Sequence, residues 1–223
     1  MHPDYQYVQA RRHGVRFELG VQATIEDVQA AKAQRVIVAT GATMTWPRTA
    51  PQSWREDGVL LDARAAAREL CGYRRPQGGT ALLFDMDHTE ATYALAEVMQ
   101  RLFDRTVIVT PRERIAADVP LVSNLGIYRR LTRLGVEILP LSEIAAESVL
   151  DAGRVACRNV HTGALTWIDE VVVAAYSTPR APRDTLQPGL HAAGIDALII
   201  GDCKVPRTLL AATGEGHAAG SRV

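Results

Sequence analysis

Lysine is almost missing from this 223-residue chain: Lys32 and Lys204 are its only lysines, and arginine supplies the rest of its 25 basic residues. That bias fits a GC-rich, bacterial coding sequence and does not by itself define an arginine surface. Cysteine is scarce as well. Cys71, Cys157 and Cys203 stand far apart, without the C-x-x-C or Cys/His spacing that holds zinc or an iron–sulfur cluster, so no structural metal is expected. Net charge is lacking too, because 25 acidic residues cancel the 25 basic ones and leave no basic field to attract nucleic acid. Long apolar runs are absent. Arg35-Val36-Ile37-Val38-Ala39 and Ala197-Leu198-Ile199-Ile200 are far shorter than the roughly 18 residues that span a bilayer, and Met1-His2-Pro3-Asp4-Tyr5 has no basic-then-apolar signal pattern. The expectation is a cytoplasmic protein with neither a membrane nor a nucleic acid as partner.

What is present is the alternation of buried strands and amphipathic helices. Thr80 to Phe84 reads as a buried strand, Leu95, Val98, Met99, Leu102 and Phe103 fall on one helix face, and Thr106 to Val109 reads as the next strand. Leu121 to Leu134 returns to helix and Val136 to Leu139 to strand. Arg154 to Val160 and Leu165 to Ile168 read as a hairpin turned at Thr162-Gly163, leading into an apolar strand over Glu170 to Ala175. Around this centre, residues 5 to 13 suit a helix, Val15 to Leu19 alternates like a strand, and Arg35 to Ala39 is a β-branched run. Ala197 to Ile200 is a closing strand, followed by a helix over Thr208 to Ala219. Strands alternating with helices predict an α/β fold with parallel pairing.

Two turn motifs bracket that centre: Val36-Ile37-Val38-Ala39-Thr40-Gly41-Ala42 before it and Leu198-Ile199-Ile200-Gly201-Asp202-Cys203 after it, with Glu215-Gly216-His217 in the last helix. In this order they resemble the two-dinucleotide-fold flavoproteins. More narrowly, Gly201-Asp202-Cys203-Lys204-Val205-Pro206-Arg207 is similar to the closing motif of the trimethylamine dehydrogenase, dimethylamine dehydrogenase and dienoyl-CoA reductase family, in its C-terminal region. The resemblance implies Rossmann-like parallel sheets in two lobes. A truncated FAD/ADP-type lobe would take residues 1–45 and 190–223, and a degenerate NAD(P)-type lobe residues 76–180. Residues 46–75, with a short Ala-rich helix over Asp62 to Cys71 that ends at Gly72, and residues 181–189 would be connections. It also implies cofactor-binding residues at Ala39, Thr40, Gly41, Gly201 and Asp202, with the Asp202 carboxylate capping the last helix and bonding a flavin or nucleotide hydroxyl.

Two departures from the family pattern shape the functional expectation. The opening strand and Gly-rich phosphate loop that should precede Gly14 to Gly20 are missing, so the resemblance leaves only a partial site for ADP or FAD. In the inserted lobe, Asp85, Asp87 and Glu90 stand where G-x-G-x-x-G would hold a nicotinamide dinucleotide, and carboxylates there repel phosphate, so NAD or NADP binding is not expected. By resemblance, the FMN and four-iron cluster of such enzymes lie in a barrel domain or subunit outside these residues, and an electron-transfer protein is a further partner. No catalytic residue is expected in this chain.

Other readings stay open. Leu82-Leu83-Phe84-Asp85-Met86-Asp87-His88-Thr89 also resembles the first motif of haloacid-dehalogenase-type phosphatases, with Asp85 as nucleophile and Asp87 as acid over Mg²⁺ and Thr110 as the hydroxyl of a second motif. The chain could equally be a non-catalytic nucleotide-binding or docking module. His88 and His217 read as satisfied polar side chains, Cys203 as a packing residue, and Arg207 as half of an ion pair.

Overall fold

A computed structural model describes residues 3–222. The chain divides into two compact units, residues 1–41 with 183–223 and residues 42–182. The first unit opens with α1 (Pro3–Arg12), α2 (Ile25–Ala30) and β1 (Val36–Val38). Helix α2 begins at a capping box: the Asp27 N–H donates to Thr24 Oγ1, and Asp27 Oδ2 accepts from the Thr24 N–H in return. The second unit runs through β2 (Ala42–Met44), α3 (Gln52–Glu56), β3 (Leu60–Asp62), α4 (Ala63–Leu70), β4 (Thr80–Asp85), α5 (Glu90–Leu102), β5 (Arg105–Val109) and α6 (Leu121–Leu134). It continues with β6 (Glu137–Leu139), β7 (Ser142–Ile144), β8 (Val155–Asn159), β9 (Leu165–Ile168), β10 (Val171–Ser177) and β11 (Arg180–Pro182). The chain then returns to the first unit with α7 (Gln187–Ala192), β12 (Ala197–Ile199) and α8 (Leu209–Gly220).

The second unit is built on a five-stranded, all-parallel sheet in the order β3-β10-β4-β5-β6. All of β4 is buried, and its alternating side chains serve two cores. Ala81 and Leu83 face α4, α5 and α6 together with Tyr93, Met99, Ile127 and Leu131. Leu82 and Phe84 face the other side, where the antiparallel meander β7-β8-β9 brings Ile144, Val155, Cys157 and Ile168 against them. A parallel strand covered on both faces reads as a continuous apolar run, which is why Thr80 to Phe84 shows no period of two. Cys157 packs in this second core, where burial pushes its thiol up to about 12.

Sequence periodicity locates α6 to the residue, and β4, β5, β6, β8, β9 and β10 within two or three residues of their observed ends. The hairpin between β8 and β9 turns where Thr162-Gly163 predicts, with Gly163 at φ 72°. Val15 to Leu19 is different. The segment is exposed and belongs to no strand, because alternation supplies the side chains of a strand but not the neighbour whose backbone it must pair with. Within residues 46–75 the Ala-rich stretch forms α4 where the sequence places a helix, but α3 and β3 form as well, and β3 is an edge strand of the parallel sheet. Three residues containing only Leu60 and Leu61 as apolar signal are too short for a periodicity to register.

In the first unit β1 and β12 pair in parallel, Val36 with Ala197 and Val38 with Ile199. Its small core gathers Val38, Leu190 and Cys203, with Ile25 and Val28 of α2 packed against them. Among the described residues no helix is long and apolar enough to cross a membrane.

Candidate functional site

The two turn motifs of the first unit meet because β1 and β12 are neighbours. The Ile200 N–H donates to the Val38 carbonyl at 3.0 Å, which carries the parallel register into both turns. Thr40 and Cys203 then converge on one acceptor. The Thr40 hydroxyl donates to the Arg183 carbonyl and also lies 3.0 Å from Cys203 Sγ, while the Cys203 thiol donates to the same Arg183 carbonyl at 3.1 Å. The Gly41 carbonyl accepts from the Arg183 N–H at 2.9 Å. Thr40 and Gly41 are thus tied to the segment that returns into this unit.

The closing motif is held by Glu215 of α8. Gly201, at φ 65°, turns its N–H to Glu215 Oε2 at 2.6 Å, and the other carboxylate oxygen pairs with Arg207. The Gly201 N–H first, and Arg207 after it, hold the Glu215 carboxyl below the usual range. Asp202 does not cap α8. Its Oδ1 accepts from the Arg207 N–H at 3.0 Å, and the cap is Thr208, which accepts from the Ala211 N–H. The reason is spacing: Asp202 lies seven residues before the first helical residue, whereas a capping oxygen must reach the N–H two or three residues ahead. Arg207 forms the ion pair read from the sequence, and Glu215, quoted there only as part of a motif, is the residue that organises the turn. The one sequence signal for it is a carboxylate placed 14 residues after a Gly-Asp strand end.

In the second unit the end of β4 carries the acidic loop. Asp85 does not point toward a phosphate site. Its carboxylate is fully buried, Oδ1 accepting from the His88 N–H at 3.0 Å and Oδ2 from the Tyr93 hydroxyl at 2.7 Å. Desolvation pushes the Asp85 carboxyl up, against the stabilising effect of His88 and Tyr93. The same burial pushes His88 down, and raises the Tyr93 phenol. His88 adopts φ 52°, unusual for a side chain of its size, and its Nε2 lies 3.4 Å from the Thr110 hydroxyl at the end of β5. Asp87 faces Arg180 at 3.9 Å and accepts from the Thr89 hydroxyl at 2.8 Å.

Of the three carboxylates expected to repel a dinucleotide, Asp85 is thus turned inward, and the loop backbone adds a second obstacle. A Gly-rich loop works by leaving its backbone N–H groups free for phosphate. Here the Met86 and Asp87 N–H groups both donate to the Ser177 carbonyl, at 2.7 and 3.0 Å, and the His88 N–H is taken by Asp85. Ser177 ends β10, and the Thr92 and Ser177 hydroxyls bond across at 2.7 Å. The crevice where strand order reverses, between β4 and β10, is stitched closed by the protein's own groups. The geometry likewise opposes phosphatase chemistry: Asp85 has no exposed surface from which to attack phosphorus.

No protein-family model and no curated protein matches this chain by sequence. By structure it matches part of the histamine dehydrogenase from Rhizobium sp. 4-9, with 25% identity and a TM-score of 0.76 over 99% of this chain and 35% of that one. It matches the 6-hydroxypseudooxynicotine amine oxidase of Pseudomonas geniculata N1 at 23% identity and TM-score 0.77, over 98% and 33% of the two chains. A 2-naphthoyl-CoA reductase gives 17% identity and TM-score 0.81, over 98% and 31%. The thioredoxin reductase of T. acidophilum shares the fold more loosely, at 11% identity and TM-score 0.62 over 84% of this chain. The chain spans about a third of the length of the first three enzymes. Its fold is that of the two-dinucleotide-fold region of the trimethylamine dehydrogenase-like flavin oxidoreductases, matched from one end of this chain to the other.

Proposed function

We propose that this chain is the C-terminal nucleotide-binding-type part or subunit of a flavin-dependent amine dehydrogenase or related enzyme. The observation that carries the reading is the match over 98–99% of this chain to about a third of enzymes such as histamine dehydrogenase. On this reading the FMN and the iron–sulfur cluster lie in a barrel domain or partner subunit, and an electron-transfer protein takes the electrons. On the same reading the first unit belongs to the FAD/ADP-type lobe and the second is the degenerate NAD(P)-type lobe.

We assign one end of an adenine dinucleotide to the first unit. Asp202, whose Oδ1 already accepts from the Arg207 N–H, is the residue we assign to a ribose or ribityl hydroxyl, at the end of a parallel strand. Gly201 and Thr40 do not offer ligand donors, because the Gly201 N–H is bound to Glu215 and the Thr40 hydroxyl to Arg183. Their role, with Ala39 and Gly41, is to shape the two turns that present Asp202. When bound, ADP would fill a structural site, whereas FAD would also bring redox chemistry. The second unit does not fit NAD or NADP, since the loop N–H groups that would hold pyrophosphate are internally bonded.

The test is calorimetry and thermal shift with ADP, FAD, NADH and NADPH in parallel. A ligand binding only the folded state, at about 100 times its dissociation constant, stabilises it by about 2.7 kcal/mol. Binding of ADP or FAD, reduced in Asp202→Asn and without response to NADPH, supports the reading. Tight NADPH binding overturns it.

A further inference from the structure

We propose that Asp85 and His88 hold a single proton between them and form a pH-sensed latch that keeps the strand-end crevice of the second unit closed. The inference stands on this unit alone and does not depend on the enzyme reading. Both side chains have no exposed surface, and Asp85 Oδ2 lies 3.7 Å from His88 Nδ1. The Tyr93 hydroxyl bridges them, donating to Asp85 at 2.7 Å and lying 3.5 Å from His88 Nδ1. On the other ring nitrogen sits the Thr110 hydroxyl. Further charges facing the pair are Asp87 in the same loop and the Arg112–Asp118 ion pair in the segment after β5, with the Tyr128 phenol of α6 beyond Tyr93.

The proton count decides the state of the latch. With one proton the pair is neutral overall, whether written as carboxylic acid and imidazole or as carboxylate and imidazolium. Removing that proton leaves a buried lone carboxylate; adding a second leaves a buried lone imidazolium. Either net charge is costly in a site with no exposed surface, and the cost is relieved when water enters.

What opens is defined by the bonds that converge on the pair. Asp85 Oδ1 holds the His88 N–H and so fixes the Asp85–Thr89 loop, whose neighbouring N–H groups bind the Ser177 carbonyl. The Tyr93 hydroxyl accepts from the Ala116 N–H, and the Ala116 carbonyl accepts from Asn124, which ties the segment before α6 into the same network. Loss of neutrality therefore releases the loop over the crevice and the segment that leads into α6 together. The released Met86, Asp87 and His88 N–H groups are the ones an anion would need.

The test is amide hydrogen exchange of the full chain by NMR, corrected for intrinsic exchange, from about pH 4 to about pH 10. Protection of Met86, Asp87, His88 and Ala116 should be flat in the middle of the range and fall on both sides, by up to about tenfold per pH unit for one proton. Asp85→Asn should abolish the alkaline fall, having no carboxylate to ionise. His88→Asn, whose short side chain tolerates positive φ, should abolish the acid fall. If a variant does not fold, titration of the His88 ring in the unaltered protein decides: a step displaced from the free-imidazole value of about 6.5 that coincides with loss of Ala116 protection supports the latch. Protection flat across the whole range, or both limbs surviving in both variants, overturns it.

Discussion

Glu215 accepts from the Gly201 N–H at 2.6 Å, and through its second oxygen holds Arg207, so one carboxylate of α8 fixes both the turn after β12 and the approach to the helix. Its carboxyl is held low, chiefly by the Gly201 N–H. A depressed carboxyl stabilises the fold above its unfolded value and stops doing so as pH falls through the folded value. We expect Glu215→Gln to lower the melting temperature at neutral pH and to make no difference in strong acid. Melting curves of the two proteins at both pH values check this, and an equal loss at both would mean that charge is not the cause.

Gly201 itself sits at φ 65°, where a side chain is strained, although a Cβ there would meet only Ala212 at 3.6 Å. Gly201→Ala should therefore cost about 1–3 kcal/mol through backbone strain and not through a clash. Denaturant unfolding measures it; no loss would show that the turn relaxes freely.

In the second unit the Tyr93 hydroxyl is both donor to Asp85 and acceptor from Ala116. Tyr93→Phe leaves a buried carboxylate and a backbone N–H short of a partner and should destabilise by about 1–3 kcal/mol. The loss should be read by equilibrium unfolding, with Tyr128→Phe, whose hydroxyl only accepts from the Ile115 N–H, losing less.

The core prediction is simpler. Leu83 is fully buried in the layer between β4 and the helices, and Leu83→Ala should cost about 2–5 kcal/mol by opening a cavity. Leu121→Ala, on the exposed start of α6, should change stability by less than about 0.5 kcal/mol. Parallel chemical denaturation of the two variants makes the comparison, and equal effects would mean that the sheet core is not where stability resides.

For nucleotide response, the bonds from Met86 and Asp87 to Ser177 predict no thermal shift with NADPH even in Asp85→Asn, because the amide oxygen can still accept from His88. A shift in that variant would restore charge repulsion as the reason for exclusion.

Much of the second unit was legible because its signals are local. The helix face of Leu95 to Leu102, the period of α6 and the Thr162-Gly163 turn each need only neighbouring residues to be read. The capping box at Thr24 and Asp27 is equally local and marks α2, although periodicity passes over a helix of six residues. Val15 to Leu19 failed for the opposite reason, since a strand exists only when another strand accepts its backbone.

The sequence by itself determined the α/β class, the alternating strands and helices of the centre from β4 to β10, the two turn motifs and the likeness to flavin oxidoreductases, since each of these is written in runs of a few residues. Tertiary structure alone decided what those residues do. Asp85 turns inward because Tyr93, eight residues on, offers a buried hydroxyl, and Gly201 is answered by Glu215, 14 residues away. Whether a loop N–H is free for a ligand or bound within the protein depends on which carbonyl lies opposite, here that of Ser177. No local pattern encodes a partner that only the sheet order brings within reach.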